Sequence, residues 1–226
     1  DRKHRNIITV EDPVEYEFPD NIMQIHVTEK VTFPKALRAI LRHDPDVIMI
    51  GEIRDRESLQ IGIQAALTGH LVFTTLHTNN AVETISRMID MGAEDYLIAA
   101  TLVRAMAQRL VPIICGNCRV PYQPNPEELK ALGLPLDAAQ KQQFFIGKGC
   151  EACRGTGFRG RTGIFELLKI TPEIRKAILR RASGDEILQI ARQEGMRTML
   201  EDGRDKVLRG ITTPYEVIKA VFAGMV

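Results

Sequence analysis

The sequence has no tryptophan, and its aromatic residues amount to only 5%. Few flat side chains are at hand to stack on bases, which argues against a nucleic-acid groove binder. The formal net charge is +1, so no global field recruits nucleic acid or an anionic membrane surface. Apolar runs are short; none approaches the roughly 18 residues that a membrane span needs, and no signal peptide opens the chain. The expected compartment is therefore the cytoplasm. Repeats and low-complexity tracts are also missing. The phosphate-cradling sequence G-x-x-x-x-G-K-[ST] occurs nowhere: "GKG" at 147–149 lacks both the upstream Gly and the Ser/Thr.

What remains is an ordinary globular composition, 44% hydrophobic and 26% charged over 226 residues. That length suffices for one domain or one and a half. "NIITVED" (6–12) and "NIMQIHV" (21–27) are short β-branched runs separated by a Pro- and acid-rich turn. "TFPKALRAILRHDPD" carries apolar residues at helical spacing and ends before Pro45. "DVIMIGE" predicts a strand buried on both faces, and "DRESLQIGIQAALTGH" a helix from an Asp55 cap to Gly69. "LVFTTLH" (71–77) predicts another buried strand. A helix is expected from Asn80, with Glu83 completing a capping box, to Gly92, and a further one over "EDYLIAATLVRAMAQRL". From Gly163 a short strand, "GIFELLKI", leads into helices with capping-box spacing at Ser183/Glu186, Thr198/Glu201 and Thr213/Glu216.

Alternating strands and helices up to about residue 112 predict an α/β fold with a mainly parallel sheet. The expected organisation is a core over 1–112, a tetracysteine segment over 113–162, and a strand with helices over 163–226. In such sheets the ligand crevice lies beyond the carboxyl ends of the strands. Three predicted strands end there in polar groups: Glu11 and Asp12; Glu52; and Thr74, Thr75 and His77, with His70 at the start of the third strand. A carboxylate in that position can hold a metal ion or orient water, and a His beside a terminal phosphate can report its presence. Taken singly, each has an ordinary reading: a Glu after a strand as a helix cap or surface ion pair, a His as a satisfied structural residue.

All four cysteines fall in one pattern, Cys115-x-x-Cys118, a 31-residue gap, then Cys150-x-x-Cys153. Two such knuckles complete a tetrahedron around one ion, and Gly155 and Gly157 allow the backbone to wrap the sulfurs. Thiolates in a reducing compartment suit Zn²⁺; a redox pair or inert buried thiols are the alternatives.

The order and spacing of "ITVEDPVEY", "LRHDPDVIMIGEIRD", "AALTGHLVFTTLHTNNA", "AQRL" and the two C-x-x-C knuckles resemble the hexameric ATPases of type II secretion and type IV pilus assembly. The resemblance runs over essentially the whole chain. It implies a RecA-like sheet with helices on both faces, a tetracysteine zinc segment, and a small helical region at the carboxyl end. "ITVEDPVEY" is similar to the family's Asp box, which implies acidic roles for Glu11, Asp12 and Glu15 near metal and water. "DPDVIMIGEIRD" is similar to its atypical Walker B, with Glu52 implied as the Mg²⁺-linked, water-activating carboxylate and Gly51 standing where an ordinary Walker B carries Asp. "GHLVFTTLHTNNA" is similar to the His box, implying that His70 and especially His77 lie by the phosphates of ATP, with Thr75 as a hydroxyl donor there.

Implied partners are five further copies in a homo-hexamer and an inner-membrane platform, with the protein peripheral to that membrane. The Walker A loop should stand upstream of "NIITVED", so the chain is expected to be a carboxy-terminal fragment with the metal and water side of the site, inactive alone. Arginines of a neighbouring subunit would complete the site by neutralising developing charge; Arg38, Arg42, Arg54, Arg56, Arg104 and Arg109 are available, and the sequence does not choose among them. Two other functions stay open. One is a non-catalytic zinc module that docks the membrane platform. The other is a zinc nucleic-acid binder built on Arg154, Arg159 and Arg161, against which the balanced charge and scarce aromatics count.

Overall fold

The computed structural model of the protein describes residues 4–18, 21–135 and 142–223. In chain order its elements are β1 (Ile7–Glu11), β2 (Ile22–His26), α1 (Phe33–Ile40), β3 (Val47–Ile50), α2 (Arg56–Leu67), β4 (Leu71–Thr74), α3 (Glu83–Asp90) and α4 (Asp95–Thr101). Then come β5 (Arg104–Ile114), β6 (Arg119–Tyr122), α5 (Pro126–Ala131), β7 (Phe144–Gly147), a 3₁₀ turn (Glu151–Cys153) and β8 (Phe158–Lys169). The chain closes with α6 (Pro172–Leu179), α7 (Gly184–Gln193), α8 (Met199–Leu208) and α9 (Pro214–Phe222). These form two compact units. One comprises Asp1–Thr78, Val82–Arg104 and Ile170–Ile190; the other Asn79–Ala81, Ala105–Lys169 and Ala191–Val226.

The first unit is built on a four-stranded, all-parallel sheet of order β2-β1-β3-β4. Ile8 and Val10 of β1 and Ile48 and Ile50 of β3 are fully buried, as apolar strands in the middle of a helix-covered sheet should be. Helix α1 turns Ala36, Leu37 and Ile40 inward and carries its proline in the first turn, where no N–H is needed. Helix α2 starts as expected: the Asp55 carboxylate accepts the Ser58 N–H at 2.8 Å. The register aligns the strand ends, pairing Val10 with Ile50 and Ile50 with Thr74. Whatever follows Val10, Ile50 and Thr74 therefore emerges along one rim.

Three sequence expectations fail. The helix expected over 94–110 ends at Thr101, and β5 runs from Arg104 to Ile114. Burial then alternates, with Ala105 and Ala107 inside and Met106 and Gln108 outside. Ala, Met, Gln and Arg favour a helix intrinsically, and tertiary pairing with β8 overrides that preference. Strand β4, expected to be buried, is the last strand of the sheet among the described residues, with Leu71 and Phe73 half-exposed. Helix α3 begins at Glu83 with Val82 at its N-cap and no capping side chain there, not at Asn80.

The second unit holds the β5–β8 pair, the antiparallel β6–β7 pair, α5, α8 and α9. Strand β8 starts at Phe158, ahead of the expected Gly163. The capping boxes fare better: Thr198 and Glu201 satisfy each other's backbone N–H groups, and Thr213 caps α9 ahead of Pro214.

Candidate functional site

The aligned strand ends open onto a cleft of about 540 Å³ within the first unit, lined among others by Glu11, Asp12, Glu15, Gly51, Glu52 and Thr75. Five of the site residues singled out in the sequence thus share one cavity, although three strand ends supply them. The β3 turn holds this rim together. The Gly51 N–H donates to the Val10 carbonyl at 2.7 Å, the Thr75 hydroxyl donates to the Gly51 carbonyl at 2.7 Å, and the Ile53 N–H donates to the Thr75 carbonyl at 3.1 Å.

Glu52 follows that turn with 12% of its side chain exposed. Its Oε2 accepts from Arg54 Nε at 2.5 Å and from His77 Nε2 at 3.2 Å. Burial works against the charged carboxylate, but the hydrogen bonds from His77 and Arg54, and the Arg54 charge, outweigh it and hold the carboxyl below its ordinary range. His77, itself largely exposed, joins the rim through this contact. Two of the arginines named for a role from a neighbouring subunit are paired within this chain, Arg54 with Glu52 and Arg38 with Glu57.

Glu11 ends β1 and is buried, with Oε1 accepting from Thr9 Oγ1 at 2.5 Å and Gln24 Nε2 at 2.9 Å. Gln24 also donates to the Tyr16 carbonyl at 2.9 Å and accepts from the Phe18 N–H at 2.7 Å. It therefore fixes both the buried acid and the loop that carries Asp12 and Glu15, which are exposed at the cleft. Sequence reasoning missed Gln24. Its signal was a lone amide inside the apolar run "IMQIH".

His70 stands apart. It precedes β4, so it lies at the opposite end of the sheet, roughly 13 Å from the rim at the ordinary rise of a four-residue strand. Its Nδ1 lies 2.8 Å from the Ala65 carbonyl oxygen and 3.1 Å from Thr68 Oγ1, where it finishes the end of α2.

In the second unit the four cysteine sulfurs lie within 4.8 Å of one another. Cys115–Cys150 are 3.9 Å apart, Cys118–Cys153 3.8 Å and Cys150–Cys153 3.7 Å. These are non-bonded separations, too long for disulfides. Four sulfurs each ~2.3 Å from one zinc ion would stand roughly 3.8 Å apart, so the donor set and its size both fit Zn²⁺. Gly155 and Gly157 take φ of +78° and +77°, as the wrapping knuckle requires. Burial works against a thiolate at Cys153, but the N–H groups of Cys150 and Gly157, each 3.2 Å from its sulfur, and the neighbouring Cys150 and Cys118 thiols outweigh it and favour the thiolate there.

No helix among the described residues is long and apolar enough to cross a membrane. Over residues 1–219 the chain matches the family model described as "Type II/IV secretion system protein". It is 50% identical over 215 residues to the type IV pilus assembly ATPase PilB of Thermus thermophilus, covering 95% of this chain and 24% of that protein. It is 46% identical over 217 residues to the type II secretion system protein E of Pseudomonas aeruginosa, covering 95% of this chain and 42% of that protein. The chain thus spans less than half the length of these curated relatives. Among solved structures, the pilus retraction motor PilT with bound ADP is similar at a TM-score of 0.67 and 31% identity, over 95% of this chain and 52% of that one. The ATPase DotB of Legionella pneumophila, at 24% identity and a TM-score of 0.65 over 97% of this chain and 52% of that one, shares the fold. Sequence match, parallel sheet and neighbouring structures agree, and the chain belongs to the type II/IV secretion system protein family.

Proposed function

We propose that this chain supplies the metal and water side of the ATP-hydrolysing site of a secretion or pilus-assembly motor. The observation that carries the reading is the Glu52–His77 contact on a rim shared with Glu11. ATP is the substrate, and Mg²⁺ bound with it would neutralise phosphate charge. Glu11, Asp12 and Glu15, which line the cleft, would supply the carboxylates that hold the ion, with Glu11 Oε1 already hydrogen-bonded to Thr9 and Gln24.

Glu52 orients the attacking water. Held by Arg54 and His77, its carboxylate can align that water or take its proton. Arg54 keeps Glu52 ionised and in place. His77 exchanges Glu52 for the γ-phosphate when nucleotide is bound and returns when the phosphate leaves, which makes it the reporter of hydrolysis. Thr75 holds the β3 turn through Gly51. His70 is assigned a structural part, closing α2.

Cys115, Cys118, Cys150 and Cys153 would hold Zn²⁺, which supplies a cross-link that fixes the two knuckles relative to each other. The family relation supports a cytoplasmic homo-hexamer, peripheral to the inner membrane and docked on its platform proteins, with no nucleic-acid partner. The tetracysteine centre favours the second unit as the docking module.

These 226 residues contain no G-x-x-x-x-G-K-[ST] loop, so the β- and γ-phosphates lack that cradle in this chain. The chain alone is expected to turn over ATP negligibly, while the longer protein that contains such a loop turns over steadily. Phosphate release from MgATP, measured on both, tests this. Steady turnover by the 226-residue chain, or a melting temperature raised many degrees by millimolar MgATP, would contradict it.

A further inference from the structure

Two residues beyond His77, the chain enters a short stretch, Asn79–Ala81, that belongs to the second compact unit. Two side chains of that unit hold it. Glu166 Oε1 accepts the Ala81 N–H at 2.6 Å, and Arg109 donates to Asn79 Oδ1 at 3.1 Å. The other oxygen of Glu166 accepts the Met199 N–H at 3.1 Å. Arg109 lies on β5 and Glu166 on β8, and these strands are paired.

Glu166 sits between Ile164 and Leu168 on the inward face of β8, with only 7% of its surface exposed. A leucine would satisfy the packing at such a position. A carboxylate among aliphatic neighbours carries a desolvation cost that its hydrogen bonds must offset. Here each oxygen is committed to a different backbone amide, and each amide lies near the start of a helix, where no intrahelical carbonyl can satisfy it. A carboxylate provides an acceptor at both oxygens. An amide provides one, and turns an NH₂ toward the second N–H.

We propose that Glu166, assisted by Arg109, is a positioning residue: it fixes the backbone immediately past His77 and thereby sets how His77 meets Glu52. This rests on the reading of Glu52 and His77 as the water-orienting and phosphate-reporting pair. It gives the strand pair of the second unit a part in hydrolysis without contact with substrate, because freedom at residues 79–81 passes along the chain to His77.

The test uses E166Q and, at a half-buried position of β5, R109Q. In the 226-residue chain, hydrogen exchange at the Ala81 amide is expected to accelerate at least tenfold in E166Q, with Ile8 and Ile48 unchanged and the zinc content retained. In the longer protein, kcat for ATP is expected to fall at least tenfold with KM within twofold, and R109Q to fall in the same direction by less. Unchanged Ala81 exchange or unchanged kcat in folded E166Q would overturn the proposal. If E166Q does not fold, R109Q decides by the same readouts. If the wild-type longer protein hydrolyses no ATP, the motor reading fails by itself, and Ala81 exchange together with the His77 imidazole resonances still decides whether the grip exists.

Discussion

Gly51 and Val10 are joined by a 2.7 Å hydrogen bond, and a Cβ at Gly51 would stand 3.1 Å from the Val10 carbonyl oxygen and 3.3 Å from the Glu11 Cα. At Gly51 the backbones of β1 and β3 approach so closely that a side chain would need its neighbours to give by a few tenths of an ångström, and the acid comes one residue later, as Glu52. The close approach also holds Glu11 and Glu52 on one rim. Gly51→Ala is therefore expected to force the two strand ends apart. A cost of about 1–3 kcal/mol, typical of overpacking, should appear as a lower denaturation midpoint at unchanged slope. Stability equal to wild type would mean the rim tolerates the wider spacing.

Metal content comes next. The purified chain is expected to contain close to one zinc per molecule, held by the four sulfurs that lie within 4.8 Å of one another. Cys118→Ser should lower zinc retention and the melting temperature, and chelation of wild type should do the same, because metal-binding free energy is folding free energy at such sites. A chain that is fully folded and zinc-free would leave the four thiols as packing alone.

Glu201 gives a stability test with a definite sign. The Thr198 N–H is the main cause that holds its carboxyl below the ordinary value of 4.5; burial opposes this, and the Thr198 hydroxyl, Arg192 and Arg204 add to it. A depressed carboxyl contributes stability that is fully present above 4.5 and is lost as pH falls through the folded-state value. Glu201→Ala, which also removes half of the capping box, should cost roughly 1 kcal/mol at neutral pH. The difference from wild type should shrink below pH 4.5 in urea titrations at several pH values. A difference that grew on acidification would contradict the assignment.

Much of the site could be read ahead of the structure because its determinants are local. An Asp before a helical pattern, an apolar run ending in acids, and two C-x-x-C knuckles each dictate geometry over a few residues. The Asp55 cap, strand β3 and the sulfur cluster accordingly appear where expected. The misreadings concern features that distant chain decides. Residues 104–110 carry strong helix formers, and only pairing with β8 makes them a strand. Strand β4 is apolar, yet among the described residues it is the last strand of its sheet, with Leu71 and Phe73 half-exposed. Gln24 and Glu166 looked like single polar residues in apolar runs. Their parts became visible only when partners far along the chain came within 3.1 Å. The resemblance places His70 and especially His77 by the phosphates; the strand between them separates His70 from the cleft and joins His77 to Glu52.

The most direct measurement is MgATP turnover and binding by Glu52→Gln in the longer protein. The Gln side chain keeps the size of Glu52 and loses the charge that Arg54 and His77 hold in place. Turnover should fall by roughly 10²–10⁴-fold, the usual contribution of a positioned acid–base group, while nucleotide affinity stays within a few-fold of wild type. Turnover at the wild-type rate in that variant would remove Glu52 from the chemistry, and the rim with it.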